Sequence, residues 1–537
     1  MVNATEFRWR WAVLILAALI LTGAAWLRGA EYDEQYTLFL TAGTSRPDWP
    51  RAVFPAGMVA AMQAGHATMG GIARDLRTTD VHPPLYFWAV SLWRAVFGPS
   101  LLATRMLSVL CGLVSLHLVG VIARRCAIHP VVAMLVTLGC YGFIYTNAIA
   151  RGFAPAQMLS LCGVVLLIGR RPLLAGACLG AACCCNYLAV FVAMAVIVAA
   201  GAWAAILGAV PFVALDAWFF AAQHASRSGQ FPPFALWPSL LRLAEYQTAA
   251  VFGGLPLYFD GVGRIVTGGI VGLVAIGLVL CVRRTRPLSH GPAIRMILGA
   301  AMAPPIGLLL LGVVFDNTPI ELRYLSFGLP FVGLLVALSL PRRRAALPSA
   351  IITAIAARTS RILPRRTTER RGEATAHRPH VVSGSASDWI NAVVTSAAAC
   401  RSGAWLLSLL VTIQFAGIAG LLLSPRTMQP ARATAADAAR LTGDGIVVLP
   451  RGNDGVGIVG AFGIEAPPSL PILLIRPADP IADRIAAYRR VALALMAQDS
   501  ESTATIAALH AALSLPNWRR VAIGSNLEVY ERTGEGE

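Results

Sequence analysis

The feature that most constrains this chain is a series of apolar runs, each close to twenty residues long and many ending at an arginine cluster. About 20 such residues cross the hydrocarbon core of a bilayer as a helix. Runs at 11–27, 101–122, 131–149, 153–169, 173–187, 188–205, 206–222, 261–282, 293–314, 323–340 and 403–423 give about eleven candidate spans. Only 13% of the 537 residues are charged and 57% are hydrophobic, which excludes an ordinary soluble domain. Basic residues outnumber acidic ones 44 to 27, and all of them are arginine, with no lysine anywhere. That composition, rich in alanine, points to a high-GC bacterial genome. The net charge of +17 has a topological cause, because the arginines collect in short clusters between apolar runs. No soluble basic domain accompanies them, so nucleic acid is excluded as a partner.

Orientation follows from those clusters. Arg124/Arg125, Arg170/Arg171, Arg283/Arg284/Arg286 and Arg342/Arg343/Arg344 fall at alternate span ends. With the amino terminus inside, all four are cytoplasmic, as the positive-inside rule requires. Segments 28–100, 223–260 and the tail after 424 are then outside. The first run follows Arg8 and Arg10 like a signal peptide, but no clean small-residue cleavage site follows it. It reads as an uncleaved first span anchored by Trp26. The expected location is the bacterial inner membrane, multi-pass, with the amino terminus cytoplasmic and the C-terminal domain periplasmic. None of the ten cysteines lies in an outer segment, so no disulfide framework is expected. Cys183, Cys184 and Cys185 are consecutive, point apart on a helix, and read as packing residues.

The fold class is therefore an α-helical polytopic membrane protein with outer-face interfacial helices and a small C-terminal α/β domain. Its expected divisions are a transmembrane catalytic part at 1–344 with outer loop 28–100, an arginine-rich cytoplasmic loop at 345–402, a last span at 403–423, and a periplasmic domain at 424–537. Residues 83–98 (PPLYFWAVSLWRAVFG) are apolar but short and carry Arg94. A full span here would invert every later cluster, so the stretch reads as interfacial or re-entrant. Residues 58–76 read as one surface helix. Leu347, Ile351, Ile355 and Ile362 give the cytoplasmic loop an apolar stripe suited to lying on lipid, with a disordered linker the alternative for 364–388. In the tail, strands are expected at 445–450, 470–475, 521–523 and 527–530, and helices at 431–441, 480–497 and 502–514. The loop 451–455 is too loose for a phosphate cradle.

Several polar residues lie where lipid-facing chemistry would need them. Glu31, Asp33 and Glu34 follow the first span directly, and a carboxylate held there can take a proton from a hydroxyl. Asp80 and His82 precede a pair of prolines that extend the chain towards Tyr86. Arg151 lies between two spans and Arg323 at another span end, beside Glu321 and Tyr324. Outward arginines run against the positive-inside rule and suit a lipid phosphate. Asp216, inside an apolar run, is an intramembrane carboxylate and a candidate by its cost alone.

Together these residues resemble the GT-C superfamily of membrane glycosyltransferases. The likeness rests on the Asp33-Glu34 pair after the first span, HPPLYFW (82–88), Arg105 in the next span, Arg151, and ELRYLSFGLP (321–330), and covers roughly 1–340. The nearest branches are the protein O-mannosyltransferases, the aminoarabinose transferases of lipid A and the Rgt-type lipopolysaccharide-core transferases. The resemblance implies an inverting transfer of a hexose or pentose from a polyprenyl-phosphate donor to an envelope glycan, lipid or protein. It makes Asp33 the base with Glu34 its neighbour, and sets His82, Arg151 and Arg323 near the donor phosphate. Some relatives carry a carboxylate shortly after the outer arginine. Here Arg151 is followed by Gly152-Phe153-Ala154, so a divalent metal is left open and not assigned. Two other classes compete: a flippase for a lipid-linked glycan, which would show internal repeats and broken mid-membrane helices, and a non-catalytic envelope scaffold, which would tolerate loss of Asp33.

Overall fold

The computed structural model describes residues 4–223, 232–254, 261–285, 291–338, 386–423, 430–452 and 455–533. The stripe expected at Leu347–Ile362 and most of the arginine-rich segment lie outside these residues. The chain opens with α1 (Ala4–Leu27) and turns through Arg28–Glu31 into α2 (Tyr32–Ala42). Glu31 caps α2 in a reciprocal box with Glu34, and Gly43 closes it in the left-handed conformation. Both devices satisfy backbone groups that a helix end leaves open.

A short strand, β1 (Phe54–Pro55), precedes α3 (Gly57–Gln63), α4 (Met69–Thr79), α5 (Leu85–Phe97) and α6 (Leu101–Arg125). The single helix expected over 58–76 is two. It breaks where Ala67 N–H donates to the Thr41 carbonyl (2.8 Å) and the Thr68 hydroxyl caps α4 at Gly71 N (3.1 Å). At 13 residues, α5 is about 20 Å long and too short to cross a bilayer. Its buried Arg94 donates to the Leu38 carbonyl, the Thr41 hydroxyl and the Gln63 carbonyl. A cation in an apolar helix is thereby accounted for, as the tie between α2, α3 and α5.

The bundle continues with α7 (Pro130–Gly139), α8 (Tyr141–Asn147), α9 (Phe153–Ile168), α10 (Pro172–Cys185), α11 (Ala189–Ala200), α12 (Ala204–Ala222), α13 (Leu236–Val251), α14 (Val262–Thr285) and α15 (Pro292–Phe315). A 3-10 turn, Leu322–Gly328, runs directly into α16 (Leu329–Leu338), and α17 (Ala386–Leu423) is the last apolar helix. Prolines begin α7, α10 and α15, where a missing N–H leaves no bond unmade. The helices α1, α6, α12, α15 and the Trp405–Leu423 part of α17 are long and apolar enough to cross a membrane, and α7 with α8 forms a broken sixth, bent by 74°. The protein is thus a multi-pass membrane protein. Among the described residues the other five expected runs fall on apolar stretches of 10–17 residues, so length and composition there give five or six spans. The last helix also begins at Ala386, well before the expected 403.

The tail holds α18 (Ala431–Leu441), β2 (Ile446–Pro450), α19 (Gly457–Glu465), β3 (Pro471–Ile475), α20 (Ile481–Ala486), β4 (Arg490–Ala494), α21 (Ser500–Leu513), β5 (Trp518–Ile523) and β6 (Leu527–Arg532). The sheet order is β1-β3-β2-β4-β6-β5, with β2 parallel to β3 and β4 and the remaining pairs antiparallel. The helix expected over 480–497 is only α20, followed by β4. Val491–Ala494 is buried throughout, and a strand covered on both faces shows no alternation to read.

Segment 28–100 supplies the edge strand: Phe54 pairs with Ile472. Phe39, Trp49, Phe54 and Val59 share one core with Val447, Phe462 and Ile472, so segment 28–100 and the tail fold together. Gly457, Gly460 and Gly463 form a stripe on α19 facing Tyr32, Gln35 and Val59, and a Cβ at any of the three would overlap those side chains. Overpacking costs about 1–3 kcal/mol. Gly460→Leu should therefore lower the thermal midpoint of the purified protein and speed proteolytic release of the tail. Gly23→Leu, at a position with open space around it, should do neither.

Candidate functional site

Glu34 is fully buried, and four groups converge on its carboxylate. Arg105 Nε and Nη2 bind it at 2.8 and 2.5 Å, and the backbone N–H groups of Ala150 and Glu31 donate at 2.6 and 3.0 Å. The remaining Arg105 donors reach the carbonyls of Ala25, Arg28 and Gly29 at 2.7–2.8 Å. All five guanidinium N–H groups are used. One ion pair thus fixes the end of α1, the start of α2 and the loop before α9. Thr37 strengthens the last of these by donating to the Ala150 carbonyl at 3.0 Å.

That loop carries Arg151 to the other side of α2. Consecutive residues on a helix point about 100° apart, so Asp33 faces away from Glu34 and is partly exposed. Arg323 pairs with the Asp33 carboxylate, and Arg151 Nη1 donates to the Asp33 carbonyl at 3.1 Å. Arg151 Nη2 meets His82 Nε2 at 2.6 Å, and His82 Nδ1 meets Asp80 at 2.7 Å. A guanidinium only donates, so Nε2 accepts and the ring hydrogen sits on Nδ1, given to Asp80. Both ring nitrogens of His82 are therefore engaged in holding Arg151. Burial pushes the Asp33 carboxyl up, but the Arg323 and Arg151 guanidinium groups outweigh it and hold it below the usual carboxylate range. Asp80 is likewise raised by burial and lowered further by His82, ending well below that range.

The 3-10 turn aims Arg323. Ser326 Oγ donates to the Arg323 carbonyl at 2.7 Å, Gln157 Nε2 donates to the Ser326 carbonyl at 2.6 Å, and the Phe153 ring packs against Tyr324 and Phe327. The Arg323 guanidinium also lies 5.4 Å from the Tyr324 ring centre. Glu321 does not pair with it; its cation is Arg242 at 3.6 Å. Glu31 is bound by Arg28 at 2.6 Å and by the Tyr145 hydroxyl at 3.3 Å. The Tyr86 ring is buried against Phe87 next to His82. Asp216 stands apart, buried in α12 beside Cys184, with Oδ1 lacking a hydrogen-bond partner.

Two contributors are absent from the sequence reading. Arg28, 1% exposed, donates to Glu31 and to the Leu421 carbonyl (3.3 Å) and lies 5.0 Å from the Tyr145 ring centre, joining α17 to the acidic turn. Gln223 at the end of α12 donates to the carbonyls of Leu76 and His82, both at 2.8 Å. The signal for each was a polar side chain at an apolar run's edge, too common to single out.

The site does not fit a divalent metal. Arg323 pairs with the Asp33 carboxylate, and among the described residues no group of three His, Cys, Asp or Glu side chains could hold an ion.

These features define a multi-pass membrane protein whose acidic first loop meets arginines from two later segments. Neither family models nor curated protein sequences match the chain. Solved structures do. ArnT from Cupriavidus metallidurans in the apo state is 13% identical over 98% of both chains, with a TM-score of 0.50. The same protein bound to undecaprenyl phosphate matches over 99% of both chains at 0.48. The Archaeoglobus fulgidus oligosaccharyltransferase in complex with Zn and sulfate is 11% identical over 90% of this chain and 68% of its own, at 0.37. The fold is shared with that of ArnT in its apo state.

Breaking a buried pair from one side costs about 3–5 kcal/mol, because the other charge is left uncompensated. Arg105→Met should therefore lower the thermal midpoint sharply, and Arg105→Met with Glu34→Leu should be less damaging than the sum of the two single changes.

Proposed function

We propose that the protein is an inverting glycosyltransferase, moving a hexose or pentose from a polyprenyl-phosphate donor to an envelope acceptor on the periplasmic face of the inner membrane. The observation that carries this reading is the convergence of Asp33, Arg151 and Arg323 from three distant segments, with His82 and Asp80 setting the first arginine. A partly exposed carboxylate beside two guanidinium groups matches what the transfer needs: a proton acceptor next to a grip for a leaving phosphate. The GT-C fold supports the same class of reaction.

In this scheme the donor's lipid tail stays in the bilayer and its phosphosugar meets Arg323 and Arg151, each able to hold two phosphate oxygens. The acceptor hydroxyl attacks the anomeric carbon as Asp33 takes its proton. The bond from that carbon to the phosphate oxygen breaks, and its electron pair leaves with the lipid phosphate. Arg323 spends the resting state on Asp33, so an arriving phosphate competes for it. The exchange frees the carboxylate and raises its basicity at the moment it is needed. His82 and Asp80 act by positioning Arg151, and Glu34 by holding the loop that bears it. The acceptor, whether glycan, lipid or protein, is met by Asp33's open side. A flippase or scaffold has no use for a proton acceptor set among phosphate grips.

General-base catalysis contributes about 10²–10⁴ in rate. Asp33→Asn should lower transfer of labelled sugar from a polyprenyl-phosphate donor by roughly that factor, with expression little changed. Near-normal transfer would sink the assignment of Asp33 as base.

The charge pattern also sets a pH profile. Asp33 is held ionised below the usual carboxylate range chiefly by Arg323, so the acid limb of kcat/KM should lie below that range. Removing a close opposite charge raises a carboxyl by about 1–3 units. Arg323→Ala should thus move the limb upward, and a limb that stays in place would separate Arg323 from the base. Arg323→Lys should lose nearly as much activity as Ala, because the two-oxygen grip is gone.

A further inference from the structure

On the site's own face of the bundle, α4 and the end of α12 enclose a cavity of about 480 Å³ that the transfer scheme does not use. Arg74, Arg77 and Thr78 of α4 line it, with Trp218 and Ala222 of α12 opposite and Gly70 leaving room at one end. The Arg77 guanidinium lies 4.3 Å from the Trp218 ring centre, and its Nε is buried without a hydrogen-bond partner. Arg74 is exposed. Among the described residues neither arginine is held in a salt bridge. Two arginines one turn apart and without a counter-anion form a cavity that asks for negative charge.

What bears that charge is set by the helix below. Leu207, Pro211, Ala214 and Trp218 follow one another at three- and four-residue intervals on α12, and all four are exposed. They form an apolar track leading from the cavity along a span, with an interfacial tryptophan at its head. A small soluble anion has no use for such a track; acyl chains do. We propose that the α4–α12 cleft is a second anion site, holding the headgroup of a membrane lipid of net negative charge whose chains lie along α12.

The cleft is joined to the Asp33 site by short links. Gln223 ends α12 and donates to both the Leu76 carbonyl of α4 and the His82 carbonyl. Asp80 ends α4 and binds His82. A lipid seated here steadies both walls and, through them, the histidine that holds Arg151. The binding itself does not depend on the protein being a transferase.

The test uses the full chain carrying Arg323→Ala, so that the Arg323 grip on phosphate does not contribute. Bound phosphatidylglycerol is counted by native mass spectrometry during titration, against phosphatidylcholine and inorganic phosphate. Arginines near an anionic lipid surface each contribute about fivefold, so Arg74→Gln with Arg77→Gln should weaken phosphatidylglycerol binding roughly 20-fold. Phosphatidylcholine should bind no better than that double variant binds phosphatidylglycerol. Should the double variant fail to fold, Arg74→Gln alone changes an exposed side chain and should still cost about fivefold. Unchanged phosphatidylglycerol binding in the variants overturns the proposal, as does equal binding of phosphatidylcholine. Competition by inorganic phosphate at matched concentration would reassign the cleft to a soluble anion.

Discussion

Everything at this site depends on the buried pair between Arg105 and Glu34. A carboxylate and a guanidinium removed from water are costly unless every donor and lone pair is met, and here they are: five N–H groups on one side, four incoming bonds on the other. Three of those acceptors are carbonyls left open by the end of α1 and the turn after it, so the arginine also closes a helix terminus. Its position, early in α6, puts this hub at the end of the bundle remote from Arg124 and Arg125. The surface that carries Asp33 is then a consequence. Once Glu34 points into the bundle, helical geometry obliges Asp33 to look out, and the same Glu34 oxygen that takes Ala150 N–H delivers Arg151 to it.

Three carboxylates within four residues would repel one another if they shared a surface. The fold gives each its own cation. Glu31 goes to Arg28, Glu34 to Arg105 and Asp33 to Arg323. The first two pairs are buried, whereas the third is reached from outside. Of the three, the Asp33–Arg323 pair is the one an incoming anion can reach, and access is what sets it apart from the other two.

Much of this was legible in the sequence, and the reason is the bilayer. Apolar runs and arginine clusters report span positions directly, and a polar residue at a span end is conspicuous. Asp33, Arg151 and Arg323 could be singled out that way. What could not be read was pairing across distance: nothing in ELRYLSF says that its arginine goes to Asp33 rather than to Glu321, or that both nitrogens of His82 are taken. Short elements also escaped. The strand Phe54–Pro55 has two residues, one of them a proline, and no periodicity, while the apolar Val491–Ala494 fits a strand or a helix equally. The shape of the 3-10 turn at Leu322–Gly328 depends on Gln157 and Phe153, which lie far off in the chain.

The pairing of Phe54 with Ile472 has a bearing on how the protein is made. The acidic turn is emitted near the start of synthesis, yet the helix that lies on α2, the glutamate that binds Ala30 N–H at 2.7 Å and the arginine that binds the Leu27 carbonyl at 2.7 Å all come from the last quarter of the chain. A loop of more than four hundred residues must close before the first outer segment has its sheet partner, and closures of that reach come late in folding. A chain interrupted during insertion can therefore bury its spans and still lack a finished sheet. Assembly of the acidic turn becomes a proofreading step: only a chain translated through its last quarter presents Asp33 in a settled frame.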